Sequence, residues 1–401
     1  MSLASTLGTA APAGSATATA DPIKVMLVDD AVVVRGLVGR WISDEPDMKL
    51  VAAHRSAREA VADIARKQPD VVILDIEMPD MDGMTALPLM IAEKRDLMVL
   101  MASTLTRRNA EISLKCLSLG ATDYVPKPET NAGVTTSQEF KRELVDKVRA
   151  LGRRRKIAGR AFRAATPAGQ TAPRAAAGPS RVASPPIAPG AISFNEPGIK
   201  LRPFGASLPK VLLIGSSTGG PQALTAVLKG LGNFIDRVPV LITQHMPPTF
   251  TTILAEHAAK ATGKPAAEAR DGEPVLAGRI YVAPGARHMV VQKTGVSVVI
   301  RLEDGPPINF CKPAVDPLFR SAAQVWGAQA FGCVLTGMGH DGAEGAGEIV
   351  AAGGSVIVQD EATSVVWGMP GAVALAGHAS AVLPLDQIAP KIVRVFSGDR
   401  S

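Results

Sequence analysis

The chain is poor in cysteine, in aromatic rings and in long apolar runs. Its 401 residues hold three cysteines, Cys116, Cys311 and Cys333, far apart and without a Cys-x-x-Cys pair. That excludes a disulfide framework and a cysteine zinc site, and it fits a reducing compartment. Aromatic residues make up 4% of the chain and apolar residues 46%. Any core must therefore be built from Val, Leu, Ile and Ala. No apolar run approaches the roughly 20 residues that span a bilayer, so no membrane insertion is expected. Met1–Ala20 lacks both a basic start and a long apolar stretch, and it reads as a disordered tail rather than a signal peptide. A cytoplasmic location is expected. The net charge of +6 first suggests an acidic partner. Its placement weakens that idea. Between Leu151 and Gly205 stand ten lysines and arginines against Glu196 alone, which leaves the rest of the chain at −3. Such runs are mostly solvated. The C-terminal half also lacks a compact basic helix-turn-helix pattern, so no nucleic-acid partner is expected.

What is present is strand–helix alternation, twice. The first stretch predicts strands at Ile23–Val28, Lys49–Ala53, Val71–Leu74, Met98–Met101 and Asp123–Val125. Helices are predicted at Val32–Ser43, Ser56–Lys67, Arg107–Leu119 and Ser137–Leu151. The second predicts strands at Val211–Ile214, Val238–Thr243, Arg279–Val282, Val296–Arg301, Gly332–Leu335 and Ser355–Val358. Its helices are predicted at Gln222–Lys229, Thr251–Ala261, Asp316–Trp326, Ala343–Ala352 and Leu385–Phe396. Alternation at this pitch implies parallel sheets covered on both faces. The chain thus divides into a tail (1–21), a first α/β domain (22–150), a linker (151–207) and a second α/β domain (208–397). The linker is rich in Ala, Pro, Gly and Arg without a sustained period, and it is expected to be disordered.

In the first domain, one strand ends in Asp29-Asp30 and another in Asp75. Carboxyl ends of parallel strands converge on one crevice. Three carboxylates there repel unless a cation intervenes, and hard oxygen ligands suit Mg²⁺. Later strands end in Ser103 and in Lys127-Pro128, which bring a hydroxyl and an ammonium to the same edge. Such a set would serve a carboxyl-phosphate.

In the second domain an aliphatic run, Val211–Ile214, stops at Gly215-x-Ser217-x-Gly219, and Pro221 follows. This fits the nucleophile-elbow template, in which a serine at the start of a helix meets free N–H groups that favour an oxyanion. A serine nucleophile needs a base and a group to orient it. His245, His340 and His288 each follow a predicted strand and compete for the first role. Asp341 and Asp316 compete for the second. Gly337-x-Gly339-x-x-Gly342, with Asp360 beyond, also matches a dinucleotide fingerprint. Asp341 argues against that reading, because its charge would share the helix N-terminus with the pyrophosphate.

Residues 22–150 resemble a response-regulator receiver domain, on Asp29-Asp30, Asp75, Met78-Pro79-x-Met81-x-Gly83, Ser103 and Lys127-Pro128. The resemblance implies a flavodoxin-like fold and phosphorylation of Asp75 by a partner histidine kinase. It implies Mg²⁺ held by Asp30, Asp75 and the carbonyl of Glu77, with Asp29 acting through water, phosphoryl contacts from Ser103 and Lys127, and Tyr124 as an aromatic switch. Residues 208–397 resemble the catalytic domain of the chemotaxis protein-glutamate methylesterases, the CheB family. The matching stretches include Ile214–Pro221, Gln244–Pro248, Val282–Gly285, Pro313–Asp316, Leu335–Ala343 and Gly368-Met369-Pro370. Ser216 stands where Ala is commoner, and Lys312 where Arg is usual. This implies a Rossmann-like serine esterase that needs no cofactor of its own. Ser217, His245 and Asp341 would be catalytic, with Thr218 and Met338 at the oxyanion and substrate. The substrates would be glutamate methyl esters, and some glutamines, on methyl-accepting chemotaxis receptors, with phosphorylation as the activating signal. A catalytically dead signalling module is the alternative, and the intact Ser217, His245 and Asp341 speak against it.

Overall fold

The computed structural model describes residues 21–128, 137–164 and 198–400, with side chains placed except at 158–164. Nearly all of the expected tail, and residues 165–197 of the expected linker, lie outside the described residues.

Five parallel strands form the first sheet: β1 (Ile23–Val28), β2 (Met48–His54), β3 (Val71–Asp75), β4 (Met98–Thr104) and β5 (Asp123–Lys127). Their order is β2-β1-β3-β4-β5, the flavodoxin-like arrangement. Helices α1 (Val32–Asp44), α2 (Ala57–Lys67), α3 (Gly83–Glu93), α4 (Arg107–Ser118) and α5 (Gln138–Ala164) cover it. Strands buried on both faces explain the unbroken aliphatic runs: Val71–Asp75 is buried throughout. Helix starts follow capping chemistry. The Ser56 hydroxyl accepts the Glu59 N–H and opens α2, and Thr106 accepts the Asn109 N–H and opens α4. Helix α5 runs well beyond the expected Leu151. Arg153 pairs with Asp47, Arg155 with Asp96 and Lys156 with Asp21 and Asp70. These charged contacts leave no apolar period to read.

The second sheet has seven parallel strands: β6 (Val211–Ser216), β7 (Val240–Gln244), β8 (Ala266–Glu268), β9 (Ile280–Val282), β12 (Ala330–Val334), β13 (Ser355–Gln359) and β14 (Ala381–Leu383). Their order is β14-β13-β12-β6-β7-β9-β8. The chain direction across the sheet reverses at β6, which opens a crevice at its carboxyl end. Around the sheet lie α6 (Gly220–Leu231), α7 (Phe250–Thr262), α8 (Val315–Trp326), α9 (Ala343–Ala351), α10 (Met369–Leu375) and α11 (Leu385–Phe396). The last helix matches its expected bounds because Ile388, Ala389, Ile392, Val395 and Phe396 make one buried face.

One expected sheet strand belongs elsewhere. The run Val296–Arg301 falls in β11 (Ser297–Glu303), which pairs antiparallel with β10 (His288–Thr294) in a separate hairpin. Gly295, at φ +59°, turns the chain between them. Along β11 only Ile300 is buried and both ends are exposed, which fits such a half-covered ribbon. Strands β8, β10 and β14 were not expected.

The two α/β units touch. Helix α4 packs on α7, and one apolar cluster holds residues of both. Among the described residues no helix is long and apolar enough to cross a membrane.

Candidate active site and acidic site

Three adjacent central strands, β12, β6 and β7, place Asp341, Ser217 and His245 at one edge. Ser217 follows β6 directly. Its N–H donates to the Thr336 carbonyl at 3.0 Å, and its carbonyl accepts the Gly220 N–H at 2.7 Å. The turn needs glycine. Gly219 has φ +74°, and a Cβ on Gly220 would lie 2.0 Å from Gln244 Oε1. Ser216 is fully buried, and its hydroxyl donates to Gln244 Oε1 at 2.6 Å. The Gln244 amide then donates to the Ser217 carbonyl at 2.9 Å. Gln244 therefore braces the turn. It stood beside His245 in the sequence but offered no signal of its own. Thr218 is buried and Met338 half-buried. Gly337 abuts the serine: a Cβ there would lie 2.9 Å from Ser217 Cβ, so the backbone leading into Met338 passes beside Ser217.

His245 Nε2 and Asp341 Oδ2 are 2.7 Å apart, with both side chains nearly excluded from water. Among the described residues no hydrogen bond joins Ser217 Oγ to His245. Burial by itself would lower the His245 pKa; Cys311 beside it and the Asp341 carboxylate hold it above the ordinary 6.5. A cysteine acts this way only as a thiolate, whereas Asp341 does so across the working pH range. Asp341 itself is kept below the usual carboxylate range against its burial, by His245 and by the N–H groups of Val315 and Asp316.

The competing residues fall elsewhere. His340 is exposed. His288 is buried, its Nδ1 accepting the Ala314 N–H at 3.1 Å and its Nε2 lying 3.0 Å from the Pro306 carbonyl. Both ring nitrogens are thus engaged with backbone. Asp316 is buried behind Asp341 and does not reach His245. The Asp360 carboxylate accepts the Thr363 N–H at 2.9 Å and so caps the next turn. Lys312 pairs with Asp304. Cys311, beside His245, carried no sequence signal.

In the first unit, carboxylate oxygens of Asp29, Asp30 and Asp75 lie within 4.8 Å of one another. Such a set of hard oxygen donors fits Mg²⁺. Lys127 Nζ is 2.6 Å from Asp75 and 3.3 Å from Asp29. Burial pushes the Asp75 carboxyl up to about 6, with Lys127 opposing the shift and Asp29 adding to it. A cleft of about 390 Å³ opens beside them, lined by Asp30, Glu77, Asp82 and Arg108 among others. Ser103 is buried, and its hydroxyl donates to the Thr104 and Asn109 carbonyls at 3.3 and 3.4 Å. Tyr124 is 3% exposed and stacks on Phe250 of the second unit.

Fold and site together define a receiver-linked α/β protein with a serine, a histidine and an aspartate at the switch point of its second sheet. The CheB methylesterase family pattern matches residues 212–392, and the response regulator receiver pattern matches residues 25–137. A protein-glutamate methylesterase/protein-glutamine glutaminase of Rhodopseudomonas palustris (strain BisB5) is 57% identical over 381 residues, covering 95% of this chain and 96% of that protein. A protein of the same description, of group 2 operon, from Bradyrhizobium diazoefficiens is 57% identical over 383 residues, with the same coverage. The crystal structure of the Thermotoga maritima CheB methylesterase catalytic domain is 38% identical, with a TM-score of 0.45, over 47% of this chain and 98% of that one. The chain belongs to the protein-glutamate methylesterase/protein-glutamine glutaminase family, with a receiver domain ahead of its CheB methylesterase domain.

Proposed function

We propose that this chain demethylates glutamate methyl esters, and deamidates selected glutamines, on methyl-accepting chemotaxis receptors. The catalytic domain would span residues 208–397 and the receiver 22–150. Ser217 Oγ attacks the side-chain carbonyl carbon. His245 takes the serine proton and passes it to the departing methanol, or to ammonia from a glutamine. Asp341 orients the ring and stabilises its charged form. The oxyanion is held by backbone N–H groups near Met338, with Thr218 supporting the site. Water, deprotonated by His245, then attacks the acyl-enzyme, and Ser217 leaves with the proton returned. The observation that carries this reading is the 2.7 Å His245–Asp341 pair beside the glycine-bounded turn of Ser217.

The receiver supplies control. Asp75 accepts a phosphoryl group from a chemotaxis histidine kinase in the cytoplasm. Asp29, Asp30, Asp75 and the carbonyl of Glu77 would hold Mg²⁺, which offsets the charge on the oxygens during transfer. Ser103 and Lys127 would then contact the phosphoryl oxygens, drawing Tyr124 with them. Two contacts support coupling to the esterase. The Gln222 amide, five residues beyond Ser217, donates to the Ala121 and Thr122 carbonyls at 2.9 and 3.3 Å. Phe250, five residues beyond His245, stacks on Tyr124. The receiver so covers the starts of both helices that follow the reacting side chains, and phosphorylation would loosen that cover. The test is methanol release from methylated receptor membranes by wild type, Ser217→Ala and Asp75→Ala, with and without a phosphodonor. Wild type should release methanol and accelerate with the donor. Ser217→Ala should be inactive, and Asp75→Ala slow under both conditions.

A further inference from the structure

Two carboxyl groups, not one, lie behind His245. Asp341 is 1% exposed and Asp316 is 2% exposed. They stand at the N-terminal ends of the adjoining helices α9 and α8, and each caps the other's helix. Asp341 Oδ2 accepts the Val315 N–H at 2.6 Å, and Oδ1 accepts the Asp316 N–H at 3.1 Å, both at the start of α8. Asp316 Oδ1 in turn accepts the N–H of Gly345, in the first turn of α9, at 2.7 Å. Only glycine permits this approach. A Cβ on Gly345 would lie 2.6 Å from the Phe319 Cβ and 3.1 Å from the Asp316 carbonyl oxygen.

Two ionised carboxylates cannot both be comfortable in one desolvated site. Burial first, then Asp341, pushes the Asp316 carboxyl up to about 7, while Asp341 stays low. Among the other charged groups near Asp316, Arg320 attracts its charge but is shared with two glutamates. Glu344 on α9 adds to the repulsion. Arg320, one turn along α8, pairs with Glu344 and Glu348. His288 at the start of β10 is bound to the Ala314 N–H, and His245 is engaged with Asp341.

We propose that Asp316 is a positioning residue which, as the protonated member of the pair, fixes the Asp341 carboxylate in register for His245. It touches neither substrate nor reacting atoms. Its proton leaves the negative charge on Asp341, and its cap on Gly345 ties the two helix starts together. This inference rests on the reading of Ser217, His245 and Asp341 as the catalytic set.

The experiment uses the full chain, activated by a small-molecule phosphodonor, with Asp316→Ala and Asp316→Asn beside wild type. Two quantities are read: the pH profile of methanol release, and the His245 imidazole titration by NMR in a Ser217→Ala background. Asp316→Ala should lower kcat about 10- to 100-fold with little change in KM, the range typical when an outer partner that orients a metal-binding side chain is lost. It should also lower the His245 pKa, because a loosened Asp341 holds the charged ring less well. Asp316→Asn, a neutral isostere, should recover most of that activity and the wild-type titration of His245. An Asp316→Asn chain as slow as Asp316→Ala, or an Asp316→Ala chain with wild-type kcat and His245 titration, overturns the proposal. Should Asp316→Ala fail to fold, the Asp316→Asn profile decides alone. Residual activity of Ser217→Ala would overturn the nucleophile assignment instead, while the titration would still read Asp316.

Discussion

The ring of Tyr124 lies flat on the ring of Phe250, centroids 4.6 Å apart and planes 6° apart. Tyr124 belongs to the last strand of the receiver sheet, and Phe250 opens the helix that follows His245. On the receiver side, Lys147 Nζ sits 5.1 Å from the Tyr124 ring centroid and donates to its carbonyl, with Asp123 and Glu143 as ion-pair partners. Tyr124 is therefore gripped from both sides.

Weakening this contact should release the esterase. An aromatic pair is worth about 0.5–1.5 kcal/mol beyond its buried area, so its loss should raise the unphosphorylated rate by roughly 2- to 13-fold. Tyr124→Ala is the direct test, read as methanol release without phosphodonor. Arg107–Glu256, at 2.8 Å, bridges the same two units. Arg107→Glu should act in the same direction, and Arg107→Glu with Glu256→Arg should restore repression. Unchanged basal rates in all of these chains would remove the interface from the control mechanism.

Histidine substitutions should separate the roles. Ser217→Ala and His245→Ala should each abolish turnover to a similar degree, since members of one catalytic unit act together, at losses of order 10⁴–10⁶ in kcat. His340→Ala should retain near-wild-type turnover, because that ring is exposed. Loss at His340 with retention at His245 would reassign the base.

The pH dependence has a definite sign. His245 accepts a proton only when neutral, and its pKa is held above 6.5. Activity should therefore rise with pH, with the midpoint of the acid limb above 6.5. Asp341→Asn removes the charge that favours the imidazolium, so the midpoint should move down while kcat falls about 10⁴-fold. An acid limb below 6.5 in the wild-type chain would contradict the pairing.

Gly337→Ala probes the close approach to Ser217. The added methyl would sit 2.3 Å from Met369 Sδ and 2.9 Å from Ser217 Cβ, so the serine turn must shift. A displacement of this kind at a reacting atom costs about 100-fold. Stopped-flow hydrolysis should show the loss in kcat, and circular dichroism should show a retained fold.

Much of the site was legible in the chain itself. Asp29, Asp30, Asp75 and Lys127 were readable because each ends a strand, and parallel strands bring such ends together. Ser217 was readable because its glycines punctuate an aliphatic run. The base was not separable on these grounds, since His245, His340 and His288 all follow strands. Burial and partners distinguish them. His288 has backbone partners on both nitrogens, His340 faces solvent, and only His245 meets a buried carboxylate. The antiparallel ribbon of β10 and β11 was missed because a short apolar run such as Val298–Ile300 looks alike in a sheet and in a free hairpin.

The sequence determined most of the elements, through periodicity, capping residues and glycine turns, since these depend on neighbours a few positions away. The tertiary structure decided the order of the strands. Residues 217, 245 and 341 come to one sheet edge only because β12 and β7 flank β6, a pairing set by burial of both sheet faces and by no local signal. It also decided that Asp341 rather than Asp316 faces the histidine. Both are acids at helix starts, and only the packing of one helix start against the other determines which carboxylate faces the ring.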